Sequence, residues 1–195
     1  MNLEKRSEKV RMMFVALTGG NMKRLTQEFF DKNAVELAPL LLGQYLCRKT
    51  PEGILRLSIT ETEAYYTEAD TACHAHKGRT PRTELLYHRG GCAYVYLCYG
   101  IHNLMNVISG AEGVPQGVLI RGVAGYDGPG KLTRALQIDR SLNGVDLVSS
   151  QELWLEEGVQ PEYITTTRIG IDYATEEYRN ICWRFVAKTS SQNAL

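Results

Sequence analysis

The stretch from Ile54 to Tyr65 most constrains what this chain can fold into, because from Arg56 onward it alternates with the period of a β-strand. Leu57, Ile59, Glu61, Glu63 and Tyr65 would share one face, and Arg56, Ser58, Thr60, Thr62 and Ala64 the other. Two acids therefore fall on the apolar face. A carboxylate buried there must be hydrogen-bonded or paired, and burial pushes its pKa upward, as general bases require. Some thirty residues later comes the aromatic run Tyr94-Val95-Tyr96-Leu97-Cys98-Tyr99-Gly100. Together the two segments predict a carboxylate at the floor of a pocket walled by rings.

The strand needs neighbours, and the flanking sequence supplies them. Asp31 is placed to N-cap a helix over Lys32 to Leu42, ended by Gly43. Gln44 to Lys49 reads as a short strand and Thr50-Pro51-Glu52-Gly53 as the turn into the acidic strand. Further strands are expected at Ala93 to Tyr99, Leu104 to Ser109 and Gly117 to Val123, the first two joined at a hairpin tip bearing Tyr99, Ile101 and His102. The glycine-rich turn Gly125 to Gly130 would open a helix over Lys131 to Ile138, whose first amides suit phosphate. Ser149-x-x-Glu152 reads as a capping box opening a helix with Trp154, and Arg168 to Ile171 and Cys182 to Ala187 as the last strands. This pattern predicts an α+β fold: one domain on a curved, mainly antiparallel β-sheet flanked by helices, with a protruding β-hairpin.

A chain of 195 residues, 44% hydrophobic, can bury one sizeable core, so residues 23–195 are read as one domain and 1–22 as a mobile tail, with Met22 an alternative start. The formal net charge of zero gives no general nucleic-acid footprint. Locally, however, Lys77, Arg79, Arg82 and Arg89 lie among few acids, while acids dominate Gln151 to Asn180. The basic segment, from Thr67 to Arg82, loses apolar periodicity and is too long for a mere connector. Five cysteines, none in a Cys-x-x-Cys pair, read as reduced thiols. No apolar run approaches the ~20 residues of a membrane span. A soluble cytoplasmic protein is expected, nucleoid-associated if bacterial.

Glu61-Thr62-Glu63-Ala64-Tyr65, His74, Gly78-Arg79-Thr80-Pro81-Arg82, Tyr94-Val95-Tyr96-x-x-Tyr99-Gly100, Asn106, Leu119-Ile120-Arg121 and Gly128-Pro129-Gly130-Lys131-Leu132 occur in that order. In this order and spacing the chain, from about Leu25 to Ala187, closely resembles the alkyladenine (3-methyladenine) DNA glycosylase family. The resemblance implies a monofunctional base-excision repair enzyme. It would flip a damaged purine out of duplex DNA and hydrolyse the N-glycosidic bond, with no cofactor, acting as a monomer. Glu63 then corresponds to the general base that activates water, and Arg121 to its partner. Tyr65, His74 and Tyr96 would sandwich the flipped base, and Asn106 would exclude guanine by crowding its amino group. Tyr99 resembles the wedge pushed into the base stack, with Ile101 and His102 beside it. Arg79, Thr80, Arg82 and Lys131 are the implied phosphate contacts. The motif contains no lysine that matches a Schiff-base nucleophile, so no lyase step is expected. The chain departs from the family pattern at Thr83, where asparagine is usual, and in Lys188-Thr189-Ser190-Ser191-Gln192, which replaces a glycine-serine-proline ending.

Pattern alone leaves other readings open. Glu63 also fits a salt-bridged structural acid, and Glu61 a structural neighbour that tunes it. One of Tyr94 and Tyr96 can be core. Cys73, His74 and His76 offer three zinc donors within four residues, as in a zinc-dependent hydrolase. A catalytically idle binder of damaged DNA is a third reading, against which the retention of Glu63 and Arg121 argues.

Overall fold

The computed structural model describes residues 22–188, so all but the last residue of the expected tail, and the sequence after Lys188, lie outside the described residues. The acidic segment forms the long strand β2 (Gly53–Tyr66), reached from β1 (Tyr45–Thr50) by the expected turn. The two pair antiparallel, from Tyr45 opposite Ser58 to Thr50 opposite Gly53. Gly53, at φ 136, makes this reversal in a region that L side chains avoid.

The rest of the sheet is built outward from β2, and every pairing in it is antiparallel. β3 (Ala93–Cys98) and β4 (His102–Ile108) form a hairpin, β4 pairs β5 (Gln116–Val123), and β5 lies against the second half of β2. Beyond the short β6 (Tyr126–Asp127), β7 (Leu153–Glu156) pairs the outer side of β1. β8 (Tyr163–Thr166) pairs β9 (Arg184–Ala187), which returns to β2. The result is a curled antiparallel sheet with few helices, an α+β domain as expected.

The helices are α1 (Gln27–Phe30), α2 (Ala34–Leu40), α3 (Pro129–Ala135) and α4 (Glu176–Asn180). Helix α2 is capped by Asn33, whose Oδ1 accepts from the Glu36 amide at 3.0 Å, and not by Asp31. The Asp31 carboxylate is taken up by Arg89, whose Nη2 donates to it at 2.7 Å. At the other end of α2 the Thr62 hydroxyl donates to the Ala38 carbonyl at 2.8 Å, satisfying a buried group that the helix leaves free. Leu37 and Leu41 pack with Leu46, Ile59, Val118, Ile120 and Phe185 into the main core. No helix among the described residues is long and apolar enough to cross a membrane.

Three further expectations are corrected. The segment with Trp154 is the strand β7 and not a helix: Leu153, Trp154, Leu155 and Glu156 are all buried, and β1 takes them as its outer neighbour. Arg168 to Ile171 is not a strand; the β9 partner is the earlier β8, while the Arg168 side chain turns inward to Asp70. Finally, Glu61 and Glu63 do not share a face with Leu57 and Ile59. Register breaks on either side of Glu61, which lies opposite Gly122 between the pairs Ile59 with Val123 and Thr62 with Ile120. Leu57 and Ile59 enter the core before this irregularity, and Thr62 and Ala64 are fully buried after it. A Cβ at position 122 would stand 3.0 Å from Thr60 Oγ1 and 3.2 Å from Glu61 Cβ, so a side chain there would crowd the irregularity.

Candidate active site

The switch of face puts Glu63 within hydrogen-bond reach of Tyr65, whose ring lines a pocket formed with residues of β3, β4 and the loop after β2. The Glu63 side chain is completely buried, yet both carboxylate oxygens are satisfied. Oε1 accepts from the Ile169 backbone amide at 2.7 Å and Oε2 from the Tyr65 hydroxyl at 2.9 Å. Arg121 Nε stands 3.5 Å from Oε1. Burial raises the Glu63 pKa above the ordinary carboxylate value, and Arg121, the Ile169 amide and Tyr65 counteract part of that rise. Such a group can be ionised and still take up a proton. Arg121 Nε also donates to Glu61 Oε1 at 3.0 Å, and Arg184 Nε to that same oxygen at 2.5 Å.

Rings surround the space beside the carboxylate, where Tyr65, His74, Tyr94, Tyr96, Asn106 and Tyr173 converge. His74 and Tyr96 lie 4.6 Å apart by ring centroid, and His74 Nδ1 is 3.1 Å from the Tyr94 hydroxyl. Burial, aided by the nearby Arg82 cation, lowers the His74 pKa to about 4, so its imidazole is neutral at physiological pH. Asn106 is buried and donates to the Tyr94 carbonyl at 3.2 Å. The four residues expected to line a base pocket are thus brought together. Of the two β3 tyrosines it is Tyr94 that is buried in a small core cluster, with its hydroxyl against the His74 ring, while Tyr96 is partly buried beside it.

The residues expected to meet DNA are more dispersed. Tyr99 and Ile101, at the turn joining β3 to β4, are 90% and 71% exposed. His102 is the first residue of β4 and not part of the turn; its ring packs so closely on α3 that a Cβ at Gly130 would stand 2.9 Å from it. Lys131 is exposed on the first turn of α3. Arg82 lies over the Tyr96 ring with its guanidinium carbon 5.8 Å from the centroid. Arg79 is held by Glu84 through bonds of 2.8 and 2.6 Å. Thr80 and Thr83 exchange hydroxyl contacts at 3.0 Å, and Thr83 Oγ1 also donates to the Gly78 carbonyl, so Thr83 braces the basic loop from within.

Several participants escaped the sequence reading. Ile169 contributes a backbone amide, which carries no side-chain signal. It is placed by Arg168, whose guanidinium donates to Asp70 at 2.6 and 2.9 Å and to the Ala64 carbonyl at 3.0 Å. That guanidinium also lies 4.8 Å from the Tyr65 ring centroid. Tyr173 reaches the pocket from the same segment, with its hydroxyl donating to the Ala72 carbonyl at 2.9 Å.

The zinc reading is corrected. Burial pushes the Cys73 thiol up to about 12, His74 is engaged with Tyr94, and His76 Nδ1 faces the Glu68 carbonyl at 2.9 Å. Among the described residues no three His, Cys, Asp or Glu side chains are grouped where they could hold a metal ion.

Comparison with known proteins adds an independent finding. The family model described as methylpurine-DNA glycosylase matches residues 28–127 and 124–191. Relatives provisionally named 3-methyladenine DNA glycosylase are similar over most of their lengths. The one from Psychrobacter cryohalolentis is 43% identical over 179 residues, covering 75% of this chain and 84% of the relative. That from Methanocella arvoryzae is 40% identical over 190 residues, covering 87% and 94%. A third, from Borreliella burgdorferi, is 41% identical over 174 residues, covering 82% and 94%.

Proposed function

The chain belongs to the methylpurine-DNA glycosylase family and is a DNA glycosylase, and from that premise we propose that it extrudes a damaged purine nucleotide from duplex DNA and hydrolyses its N-glycosidic bond with a Glu63-activated water. The observation that carries this reading is the satisfied, buried Glu63 carboxylate beside a box of rings. Extrusion costs a few kcal/mol of lost stacking and pairing, least at a damaged base. Tyr99 fills the gap left in the stack. The base enters between Tyr65 on one side and His74 and Tyr96 on the other, where alkylated, electron-poor purines stack well. Asn106 crowds the exocyclic amino group of guanine.

The C1′–N bond breaks and its electron pair leaves with the base. The sugar becomes oxocarbenium-like, and the Glu63 carboxylate stabilises that charge. Water attacks C1′ and gives its proton to Glu63, leaving an abasic site and the free base. Arg121 keeps the carboxylate ionised enough to accept. Arg82 and Lys131 supply phosphate contacts, so binding to DNA falls with salt, and one monomer serves one duplex.

The test is single-turnover base release in EDTA from duplexes carrying hypoxanthine or alkylated purines, comparing wild type with Glu63→Gln. Release by the wild type, slowed ~100-fold or more in the variant while duplex binding persists, is the expected result. Equal rates in the two proteins would remove Glu63 from its role, and no release from either substrate would remove the reaction.

A further inference from the structure

Strand β2 carries two acids and is flanked by strands that each carry an arginine. Arg121 comes from β5 and Arg184 from β9, where it lies opposite Glu63 in register. Arg121 Nε is 3.0 Å from Glu61 Oε1 and 3.5 Å from Glu63 Oε1, so one guanidinium is shared by two carboxylates. Arg184 Nε donates at 2.5 Å to the oxygen of Glu61 that also receives Arg121. In space the charges therefore alternate in the order Arg184, Glu61, Arg121, Glu63. Their side chains are 22%, 14%, 14% and 0% exposed, so solvent and salt screen these contacts less than they would on an open surface.

We propose that Glu61 and Arg184 are positioning residues that meter the hold of Arg121 on Glu63. Glu61 competes with Glu63 for Arg121. Arg184, by occupying Glu61, returns part of Arg121 to Glu63. The inference rests on the reading of Glu63 as the base, and it gives the two outer residues opposite effects on one carboxylate. The remaining groups that face Glu63 are the Tyr65 hydroxyl, the Ile169 amide and the buried Arg168 guanidinium with its partner Asp70. None of them touches Glu61 or Arg184 among the contacts of the described residues, so they form a constant background.

The sign of each effect follows from the chain of contacts. Glu61→Gln removes a negative neighbour and leaves Arg121 to Glu63 alone, so Glu63 should titrate lower. Arg184→Gln leaves Glu61 dependent on Arg121, so Glu63 should titrate higher. A merely structural pair would move both variants in the same direction, or neither.

The experiment is a carboxyl-carbon NMR titration of Glu63 in the DNA-free protein, with its signal identified by its loss in Glu63→Gln. The expected result is a downward shift in Glu61→Gln and an upward shift in Arg184→Gln, each of about 0.5 to 1 unit. Shifts of the same sign, or two unmoved midpoints, would overturn the proposal. Should Arg184→Gln fail to fold, Arg184→Lys replaces it. Lysine keeps the charge but loses the planar contact, and the midpoint must then rise by a smaller amount; a fall or no change overturns the proposal. Because the titration needs no turnover, absence of base release in the wild type would sink the glycosidic reading without touching this result.

Discussion

The Tyr65 hydroxyl donates to Glu63 Oε2 at 2.9 Å, so the ring that walls the pocket also tethers the buried carboxylate. Tyr65→Phe separates the two jobs. A hydrogen bond to a charged group is worth ~1.5 kcal/mol or more, so single-turnover base release should slow roughly tenfold while duplex binding is kept. Removing a donor that lowers the Glu63 pKa should also move the acidic limb of the pH–rate profile to higher pH. An unaltered limb would show that the hydroxyl does not reach the ionised carboxylate in solution.

His74 should titrate near pH 4 when its imidazole protons are followed by NMR, against an ordinary value of 6.5. Its folded-state pKa is depressed, so the stability it contributes is complete above about 6.5 and is lost as pH falls through about 4. Arg82→Gln removes a cation that opposes protonation and should raise the midpoint. A midpoint still near 4 in that variant would leave burial as the sole cause.

Asp70→Ala should cost ~3–5 kcal/mol in urea unfolding at neutral pH, because it strands the Arg168 guanidinium, whose side chain is fully buried. Arg168 Nε already lacks a hydrogen-bond partner. Base release should fall with stability, since Ile169 follows Arg168 and holds Glu63. A cost below about 1 kcal/mol would mean that water enters and solvates the guanidinium.

Tyr99→Ala removes a side chain that touches little of its own protein, so unfolding should change by less than about 0.5 kcal/mol. Affinity for a lesion-bearing duplex should nevertheless fall about tenfold or more, as the gap in the base stack goes unfilled. Unchanged affinity in a direct binding assay would place the wedge elsewhere.

The parts legible in sequence were those with local signals. The β1–β2 pair announced itself through alternation and the Pro-Glu-Gly turn, and Tyr94 and Tyr96 through their spacing on β3, whereas Tyr65 and His74 were assigned by the family resemblance. The break at Glu61 was invisible, since it lies in how β5 pairs with β2, where Gly122 stands opposite Glu61. Trp154 was misread because Ser149-x-x-Glu152 satisfies a helix rule locally, while the demand for a neighbour to β1 comes from the other end of the chain. Arg168 and Arg184 were read only as members of expected strands, with no partner assigned to either. Their partners, Asp70 and Glu61, lie 98 and 123 positions away.

Those long separations also set a timetable. Glu63 is made early, but the Ile169 amide and Arg184 are synthesised more than a hundred residues later, and β9 must then return to the middle of a sheet whose other strands precede it. Contacts this distant in sequence are slow to form. While such a chain is still emerging from the ribosome, it carries Tyr65, His74, Tyr94 and Tyr96 but neither the Ile169 amide nor Arg184, so the surroundings of Glu63 are completed only by the last segments.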